Sequence, residues 1–323
     1  MTDLVRPLPW HQAYWQKMTQ LIEQGKMSHA WLLTGPMGVG KRHFAQAFTS
    51  FLLCENRKDY ACGLCRSCQQ LIAGHHPNAI CLQRGIDEKT GKTKRDISVE
   101  QVRDLNERLA LSSHYGQAKI AVIDPADAFN ANSVNALLKT IEEPSKNSYL
   151  LLISERPQAL AATLRSRCQR LTFGIPELTD ALAWLGDDEK AKDALQQSHG
   201  APLRARAFLD SGEMERSRSW ISCMNDIATQ KRDPIAVAAI LTATKSSAKD
   251  DVADFLQWLL CWLTYELRQA LTVHKKARAD ACERMLRETL EAQRRLAGNG
   301  VPQLLVESLL IYWWRVNRQS KAA

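Results

Sequence analysis

The stretch from Gly35 to Lys41 constrains the fold more than any other part of the chain, because it matches the phosphate-binding pattern G-x-x-x-x-G-K. An apolar strand is predicted immediately before it, over Trp31 to Leu33, and residues 43–53 carry apolar side chains at helical spacing. Glycines let the backbone turn its N–H groups around phosphate oxygens, and the N-terminus of the next helix favours an anion. The order of strand, glycine-rich loop and helix predicts an α/β phosphate-binding domain. The alternative at this point is a glycine-rich turn without a ligand.

The loop departs from the motif at the positions that serve magnesium and water. Ser or Thr should follow the lysine, because its hydroxyl holds magnesium, but this chain has Arg42. Asp124 ends an apolar strand over residues 120–123, which is the Walker B position. An ATPase of this kind has a glutamate next to activate water, and here the residue is Pro125. We therefore expect weak or absent ATP binding at a degenerate nucleotide site. Its candidate residues are Gly35, Gly38, Gly40, Lys41 and Asp124.

A group of cysteines after the loop helix predicts a metal site. Cys62, Cys65 and Cys68 have the spacing C-x2-C-x2-C, and Cys54 lies shortly upstream. Four thiolates can close a tetrahedral site, which is the preference of structural zinc. An iron–sulfur cluster and four free thiols are the alternatives. The predicted structural zinc module covers residues 54–68.

Three further residues near this module are candidates for simpler roles. His75 and His76 could ligate a metal, but with four thiolates available they are predicted to be loop residues. Cys81 lies in an apolar segment and is predicted to be a small buried side chain.

Composition limits the class of protein. Lys and Arg total 43 and Asp and Glu 35, giving a net charge of +8, which permits a surface facing nucleic acid without requiring one. Nine cysteines in a chain without an apolar signal segment indicate thiols or a metal in a reducing compartment, and hence the cytoplasm. No apolar run approaches the roughly 18 residues of a membrane helix.

The remaining periodicity predicts a parallel sheet followed by helices. Apolar strands alternate with helices up to about residue 173, which favours a parallel sheet covered on both faces. Residues 174–176 are a predicted linker, and from residue 211 the apolar spacing stays helical to the end. Predicted strands cover 31–33, 79–82, 120–123, 149–153 and 171–173, and predicted helices 10–23, 43–53, 132–143 and 160–165.

The order of these motifs resembles the bacterial DNA polymerase III clamp-loader AAA+ family. The resemblance rests on the phosphate loop, the four-cysteine insert, the degenerate Walker B, the segment Asn135 to Pro144 and Ser166-Arg167-Cys168. It covers about residues 1–210, and the helical remainder fits that family's collar. It implies an α/β plus all-α fold: an AAA+ P-loop domain at 1–173 with the zinc insert, a small helical lid at 174–210, and a collar for oligomerisation at 211–323.

Within that family, the resemblance implies a subunit that does not hydrolyse ATP. The gamma/tau type keeps Lys-Ser or Lys-Thr and Asp-Glu, whereas a second type has lost hydrolytic residues, as have Arg42 and Pro125 here. The implied partners are gamma/tau and delta subunits in a hetero-oligomeric ring that loads the sliding clamp onto primed DNA. The implied catalytic segment is Ser166, Arg167 and Cys168, with Arg167 as an arginine finger that reaches a neighbouring subunit's γ-phosphate.

Other interpretations of the same residues remain open at this stage. The chain could be an active ATPase of gamma/tau type with unusual magnesium ligands, or a free-standing zinc protein that binds DNA. Arg165 could be mistaken for the finger. Arg204 lies one position beyond the lid arginine of the ATPase subunits, where Leu203 stands instead, and this departure also weakens any bound nucleotide.

Overall fold

A computed structural model gives the fold and describes residues 4–87, 91, 93–111, 118–211, 213–242, 248–298 and 300–322. Contacts divide the chain into two compact units, one formed by residues 1–184 and 201–204 and the other by residues 185–200 and 205–323. Within the described ranges, no helix is long and apolar enough to cross a membrane. The division into an AAA+ domain, a lid and a collar remains a prediction.

The first unit is built on one parallel sheet. Within its described residues, five strands lie in the spatial order β2-β3-β4-β1-β5, and every pairing is parallel. The strand that precedes the phosphate loop therefore lies inside the sheet, with β4 and β5 as neighbours. The strands are β1 (Ala30–Thr34), β2 (Ala79–Leu82), β3 (Lys119–Ile123), β4 (Ser148–Ser154) and β5 (Gln169–Thr172).

Alternating side chains of the central strands supply two hydrophobic cores, one on each face of the sheet. Leu32 of β1 packs in the same core as Leu137 and Leu164, whereas the next residue, Leu33, packs with Phe44 on the opposite face. This alternation is the period-two pattern of a strand buried on both faces. The helices of this region are α1 (Gln12–Glu23), α2 (Lys41–Leu53), α3 (Arg66–Ile72), α4 (Val99–Ala110), α5 (Ala131–Glu142) and α6 (Ala162–Arg167).

Local capping explains where two of these helices start. Ser98 accepts the backbone N–H of Gln101, and the Gln101 side chain accepts the N–H of Ser98, so the two residues form a capping box at the start of α4. Asn130 caps α5 by accepting the N–H of Ser133. Two expectations were wrong in detail. The short helix predicted at 160–165 runs from Ala162 to Arg167. Cys81 is exposed rather than buried, because it lies on the face of the edge strand β2 opposite to the buried Ile80 and Leu82.

Helices complete the chain. They are α7 (Leu178–Leu185), α8 (Glu189–Gln197), α9 (Pro202–Ser211), α10 (Glu213–Ala228), α11 (Pro234–Leu241), α12 (Ala248–Thr272), α13 (Lys276–Ala297) and α14 (Pro302–Ala322). In the second unit, Trp258, Trp262 and Trp313 are buried in one core between helices. The indole N–H of Trp313 donates to the carbonyl of Met224 at 3.0 Å.

Candidate functional site: a closed phosphate loop, a cysteine cluster and an exposed arginine

The lysine of the phosphate loop forms hydrogen bonds with the loop's own carbonyl groups. Lys41, the first residue of α2, donates from Nζ to the carbonyl oxygens of Gly35 at 2.8 Å and Pro36 at 2.7 Å. Its side chain is only 4% exposed, and Nζ also lies 4.0 Å from a carboxylate oxygen of Glu155. Burial lowers the pKa of Lys41, and the nearby carboxylates oppose that change. The ammonium that would contact a phosphate thus already bonds to the carbonyls of its own loop.

Arg42 and Asp124 form an ion pair where the motif holds magnesium. Nε of Arg42 donates to Oδ2 of Asp124, although the two residues are 82 positions apart in the chain. The arginine side chain is 59% exposed and the aspartate side chain 11%. The carboxylate expected to ligate a divalent cation is therefore paired with a guanidinium, and a metal at this position would have to displace a bound cation.

Asp127, shortly after β3, accepts hydrogen bonds on both of its carboxylate oxygens. Its Oδ1 accepts the hydroxyl of Ser154 at 2.6 Å, and its Oδ2 accepts the backbone N–H groups of Glu155 at 2.8 Å and Arg156 at 3.2 Å. Both carboxylate oxygens are thus engaged by donors at the end of β4 and just after it. Asp127 therefore holds the segment after β4 in place, and Ser154, the last residue of β4, is part of that contact.

Residues 8–11, just before α1, bind the phosphate loop through hydrogen bonds to Val39. The sequence patterns did not indicate this contact. Trp10 Nε1 and His11 Nε2 both donate to the carbonyl of Val39, at 3.0 and 2.9 Å, and His11 Nδ1 accepts the N–H of Leu8. Gly40 has a φ of 94°, and a Cβ there would lie 2.6 Å from Leu8 and 2.8 Å from His11. The glycine is thus required both by its left-handed backbone and by the closeness of this segment.

Residues 201–204 lie against the tip of the loop within the same unit. The N–H of Leu203 donates to the carbonyl of Gly38 at 3.0 Å, and a Cβ on Gly38 would lie 2.8 Å from Cβ of Arg204. The phosphate loop therefore contacts Leu203 and Arg204, the residues at which the sequence differs from the resembled family's lid-arginine pattern.

The four predicted cysteine ligands come together. The Sγ atoms of Cys54, Cys62, Cys65 and Cys68 all lie within 4.8 Å of one another. Two of the separations are 4.0 Å, from Cys54 to Cys65, and 3.9 Å, from Cys62 to Cys68. A disulfide would need about 2 Å, whereas Zn–S bonds of about 2.3 Å in a tetrahedron place sulfurs roughly 3.8 Å apart. The cluster has the size and chemistry of a four-thiolate metal site that could hold zinc.

Backbone N–H groups also point at these sulfurs. Cys62 Sγ accepts from the N–H groups of Leu64 at 3.5 Å and Cys65 at 3.3 Å, and these bonds lower the pKa of Cys62 to about 6. Cys54 Sγ accepts the N–H of Cys62, and Cys65 Sγ accepts that of Cys68. Donors to sulfur favour the thiolate, which is the form that binds a metal, whereas burial acts in the opposite direction and raises the pKa values of Cys54 and Cys68. Helix capping accounts for one of these bonds. Cys65 is the N-cap of α3, which begins at Arg66, and its sulfur accepts the N–H of Cys68 in the first turn.

His76 forms hydrogen bonds through both ring nitrogens and links the cysteine module to its surroundings. Its Nδ1 accepts the N–H of Asn78 at 3.1 Å, so Nε2 carries the proton and donates to the hydroxyl of Ser67 at 2.8 Å. Ser67 in turn donates to the carbonyl of Leu53 at 2.6 Å. Burial lowers the pKa of His76, which keeps the ring neutral in this chain of bonds from α3 to α2. His75 is exposed on the loop, as predicted.

Arg167 ends α6 and projects from the surface. Its side chain is 41% exposed, Nε donates to Oε1 of Glu142 at 2.6 Å, and Nη1 donates to the carbonyl of Thr163 at 3.1 Å. The alternative, Arg165, is half-buried, and among the described residues its Nε has no hydrogen-bond partner. Arg167 is therefore the better placed of the two to reach another molecule.

The neighbours of Arg167 in the predicted segment have local roles. The hydroxyl of Ser166 donates to the carbonyl of Thr163 at 3.1 Å. Cys168 packs against the core that contains Leu164, and burial raises its thiol pKa to about 11, so it is a neutral side chain. Both residues contribute to the end of α6 from which Arg167 projects.

Comparison with known proteins decides the family. The profile of the family described as "DNA polymerase III, delta subunit" matches residues 10–177. A Pseudomonas aeruginosa protein named DNA polymerase III subunit delta' is 36% identical over 80% of this chain and 78% of its own length, and a Yersinia pestis protein of the same name is 32% identical over 78% and 73%. This chain belongs to the DNA polymerase III delta' family. The resemblance stated from the motifs is thus confirmed.

The features described above lie inside the matched region. Residues 10–177 include the phosphate loop, the cysteine cluster, Asp124 and Arg167. Among solved structures, a Thermotoga maritima protein described as related to the DNA polymerase III gamma subunit has 13% sequence identity and a TM-score of 0.48 over 94% of this chain and 99% of its own. That likeness is too distant to add to the assignment as a delta' family member.

Proposed function

We propose that this chain is the hydrolysis-deficient stator of a clamp loader. In this role it does not turn over ATP but sits in a hetero-oligomeric ring with gamma/tau and delta subunits, and it supplies Arg167 to the ATP bound by its neighbour. The assembly loads the sliding clamp onto primed DNA in the cytoplasm. Relatives named DNA polymerase III subunit delta' at 32% and 36% identity support the placement in this complex.

The observation that carries the loss of hydrolysis is the ion pair between Arg42 and Asp124. Magnesium bridges the β- and γ-phosphates and neutralises charge as it develops in phosphoryl transfer. A guanidinium in contact with the carboxylate supplies one fixed positive charge but cannot bind phosphate oxygens and water as a metal does. With Pro125 in the place of the water-activating glutamate, the site lacks both a carboxylate available for magnesium and a side chain that activates water.

The proposed contribution in trans rests on the donors that Arg167 retains. A guanidinium has five N–H donors, and the bonds to Glu142 and Thr163 use two of them. The other three lie on Nη1 and Nη2 of a side chain that is 41% exposed. An arginine that is always protonated and presents this fork can stabilise charge on a transferring phosphoryl group.

The remaining parts of the chain are assigned to assembly. We place the AAA+ domain at residues 1–173, the lid at 174–210 and the collar, which holds most ring contacts, at 211–323. The cysteine cluster holds one structural zinc, which stabilises an insert too short to form its own core.

The test compares ATP turnover by three samples: the purified chain, the gamma/tau-containing complex without it, and the complete complex with clamp and primed DNA. The stator role predicts background turnover for the chain alone and the highest turnover for the complete complex. Robust magnesium-dependent hydrolysis by the chain alone would instead assign it to the active ATPase type. Tight DNA binding by the isolated chain, with a steep dependence on salt, would support a free-standing DNA-binding role.

A further inference from the structure

We propose that Glu142 is a positioning residue for Arg167, which fixes the direction of the guanidinium before a neighbouring subunit arrives. This inference rests on the proposed function of Arg167. It concerns a contact between two motifs that are 25 residues apart: Glu142 ends the segment that leads to Pro144, and Arg167 ends α6.

Two hydrogen bonds hold one edge of the Arg167 guanidinium, and further N–H donors lie at its other edge. Oε1 of Glu142 accepts Nε–H at 2.6 Å, and the carbonyl of Thr163 accepts from Nη1 at 3.1 Å. Two bonds from different directions restrict rotation about the last side-chain torsions, which otherwise move freely in an exposed arginine. The Nη2 donors and one Nη1 donor then point in a defined direction, which is the geometry a bidentate contact with phosphate needs.

Both ends of the contact are anchored in one core. Ile141, which precedes Glu142, and Leu164, one turn before Arg167, are 2% and 0% exposed and belong to the same hydrophobic cluster on one face of the sheet. The carboxylate and the guanidinium therefore extend from backbones that are held in a fixed relation. A contact between two flexible loops would not have this property.

Electrostatics at the helix end argue against a purely local role for the glutamate. Glu142 is the last residue of α5, where the helix dipole disfavours a negative charge. An ion pair that is about half exposed contributes little to stability, because water screens it. The carboxylate therefore does little for α5 or for folding, and orientation of Arg167 is the effect that the geometry supports.

The contact itself can be tested in the isolated full-length chain, independently of any activity. In a ¹⁵N-labelled sample, the Nε–H resonance of Arg167, assigned by its loss in Arg167→Lys, should exchange slowly with water. It should lose that protection in Glu142→Ala and keep it in Glu143→Ala, the matched control at the adjacent exposed glutamate. Equal protection in all three proteins would overturn the proposal.

The consequence is tested by a double-mutant cycle in the reconstituted clamp-loader complex. Glu142→Ala should lower the maximal clamp- and DNA-stimulated ATPase rate roughly two- to fivefold at the affected site, as expected for an exposed pair, with a smaller change in the KM for ATP. Glu142→Gln should retain more activity, because it keeps an acceptor. In the Arg167→Ala background, Glu142→Ala should have no further effect.

The results of this cycle distinguish the finger role of Arg167 from the positioning role of Glu142. A reduced rate with Arg167→Ala and an unchanged rate with Glu142→Ala overturns the positioning role and leaves the finger intact. An unchanged rate with Arg167→Ala overturns both. An equal additional loss in the Arg167→Ala background shows that Glu142 acts elsewhere and also overturns the proposal. Size-exclusion chromatography of each complex ensures that rates are compared for equal amounts of assembled ring.

Discussion

Acidification should weaken the first unit through His11, the buried histidine that fastens the phosphate loop. The ring is 0% exposed, and Nε2 donates to Val39 while Nδ1 accepts the N–H of Leu8. Protonation of Nδ1 would remove that acceptor and bury a charge. Burial accordingly lowers the pKa of His11 from 6.5 to about 4, and the bond to Val39 only partly opposes this.

The sign and size of the effect follow from proton linkage. Between pH 6.5 and pH 4 the unfolded chain binds the proton that the folded chain excludes, so the free energy of unfolding falls as the pH falls. A shift of this size corresponds to a loss of about 2 kcal/mol between pH 7 and pH 5, and about 3 kcal/mol by pH 4. Burial also lowers the pKa values of His43 and His76, so they add losses of the same sign.

Hydrogen exchange of the β1 amides measures this loss in the first unit, separately from the helical unit. We expect the wild-type opening free energy to fall by at least about 2 kcal/mol between pH 7 and pH 5. His11→Gln, which keeps a donor for Val39 but cannot titrate, should be less stable at pH 7 and should show a smaller fall. His75→Gln, at an exposed histidine, is the control. Equal falls in wild type and His11→Gln would refute the assignment of this titration to His11.

Three further outcomes test the metal and nucleotide sites. Elemental analysis should find one zinc per chain in gently purified protein, and iron or no metal would contradict the assignment of a four-cysteine zinc site. Cys65→Ser should lose the zinc and increase exchange of amides in residues 54–68, with little change in the sheet. Calorimetry with ATP and magnesium should show binding weaker than micromolar, because Arg42 pairs with Asp124 and Lys41 with its own loop; micromolar affinity would contradict this account.

Local patterns were sufficient to predict the strands and most helices. Apolar runs such as residues 120–123 and 149–153 lie inside β3 and β4, because a strand buried on both faces requires continuous apolar residues. The capping box at Ser98 could also be predicted, since its two partners are three residues apart. The gathering of four cysteines followed from their close spacing in the chain.

Contacts between distant residues could not be predicted in this way. The bond between Arg42 and Asp124 joins residues 82 positions apart, and the contact between His11 and Val39 joins residues 28 positions apart. Cys81 lies in an apolar segment, yet it is exposed on one face of the edge strand β2 while Ile80 and Leu82 are buried on the other, and which face is covered is set by tertiary packing. The pairing of Arg167 with Glu142 depends on the packing of α5 and α6 and is likewise set by tertiary structure.

The most direct test of the stator account is ATP hydrolysis by a reconstituted complex that carries Arg167→Ala. The substitution is at an exposed position and should cost only about 0.5 kcal/mol of stability, so the ring should still assemble. Arginine fingers contribute on the order of 10³-fold in GTPases, and the other active sites of the ring should reduce the loss seen in the total rate. Arg167→Lys should not restore the rate fully, because an ammonium lacks the planar fork, and Arg165→Ala is the matched control. A marked fall in clamp- and DNA-stimulated hydrolysis for Arg167→Ala is the predicted result. An intact ring with unchanged hydrolysis and clamp loading would contradict it.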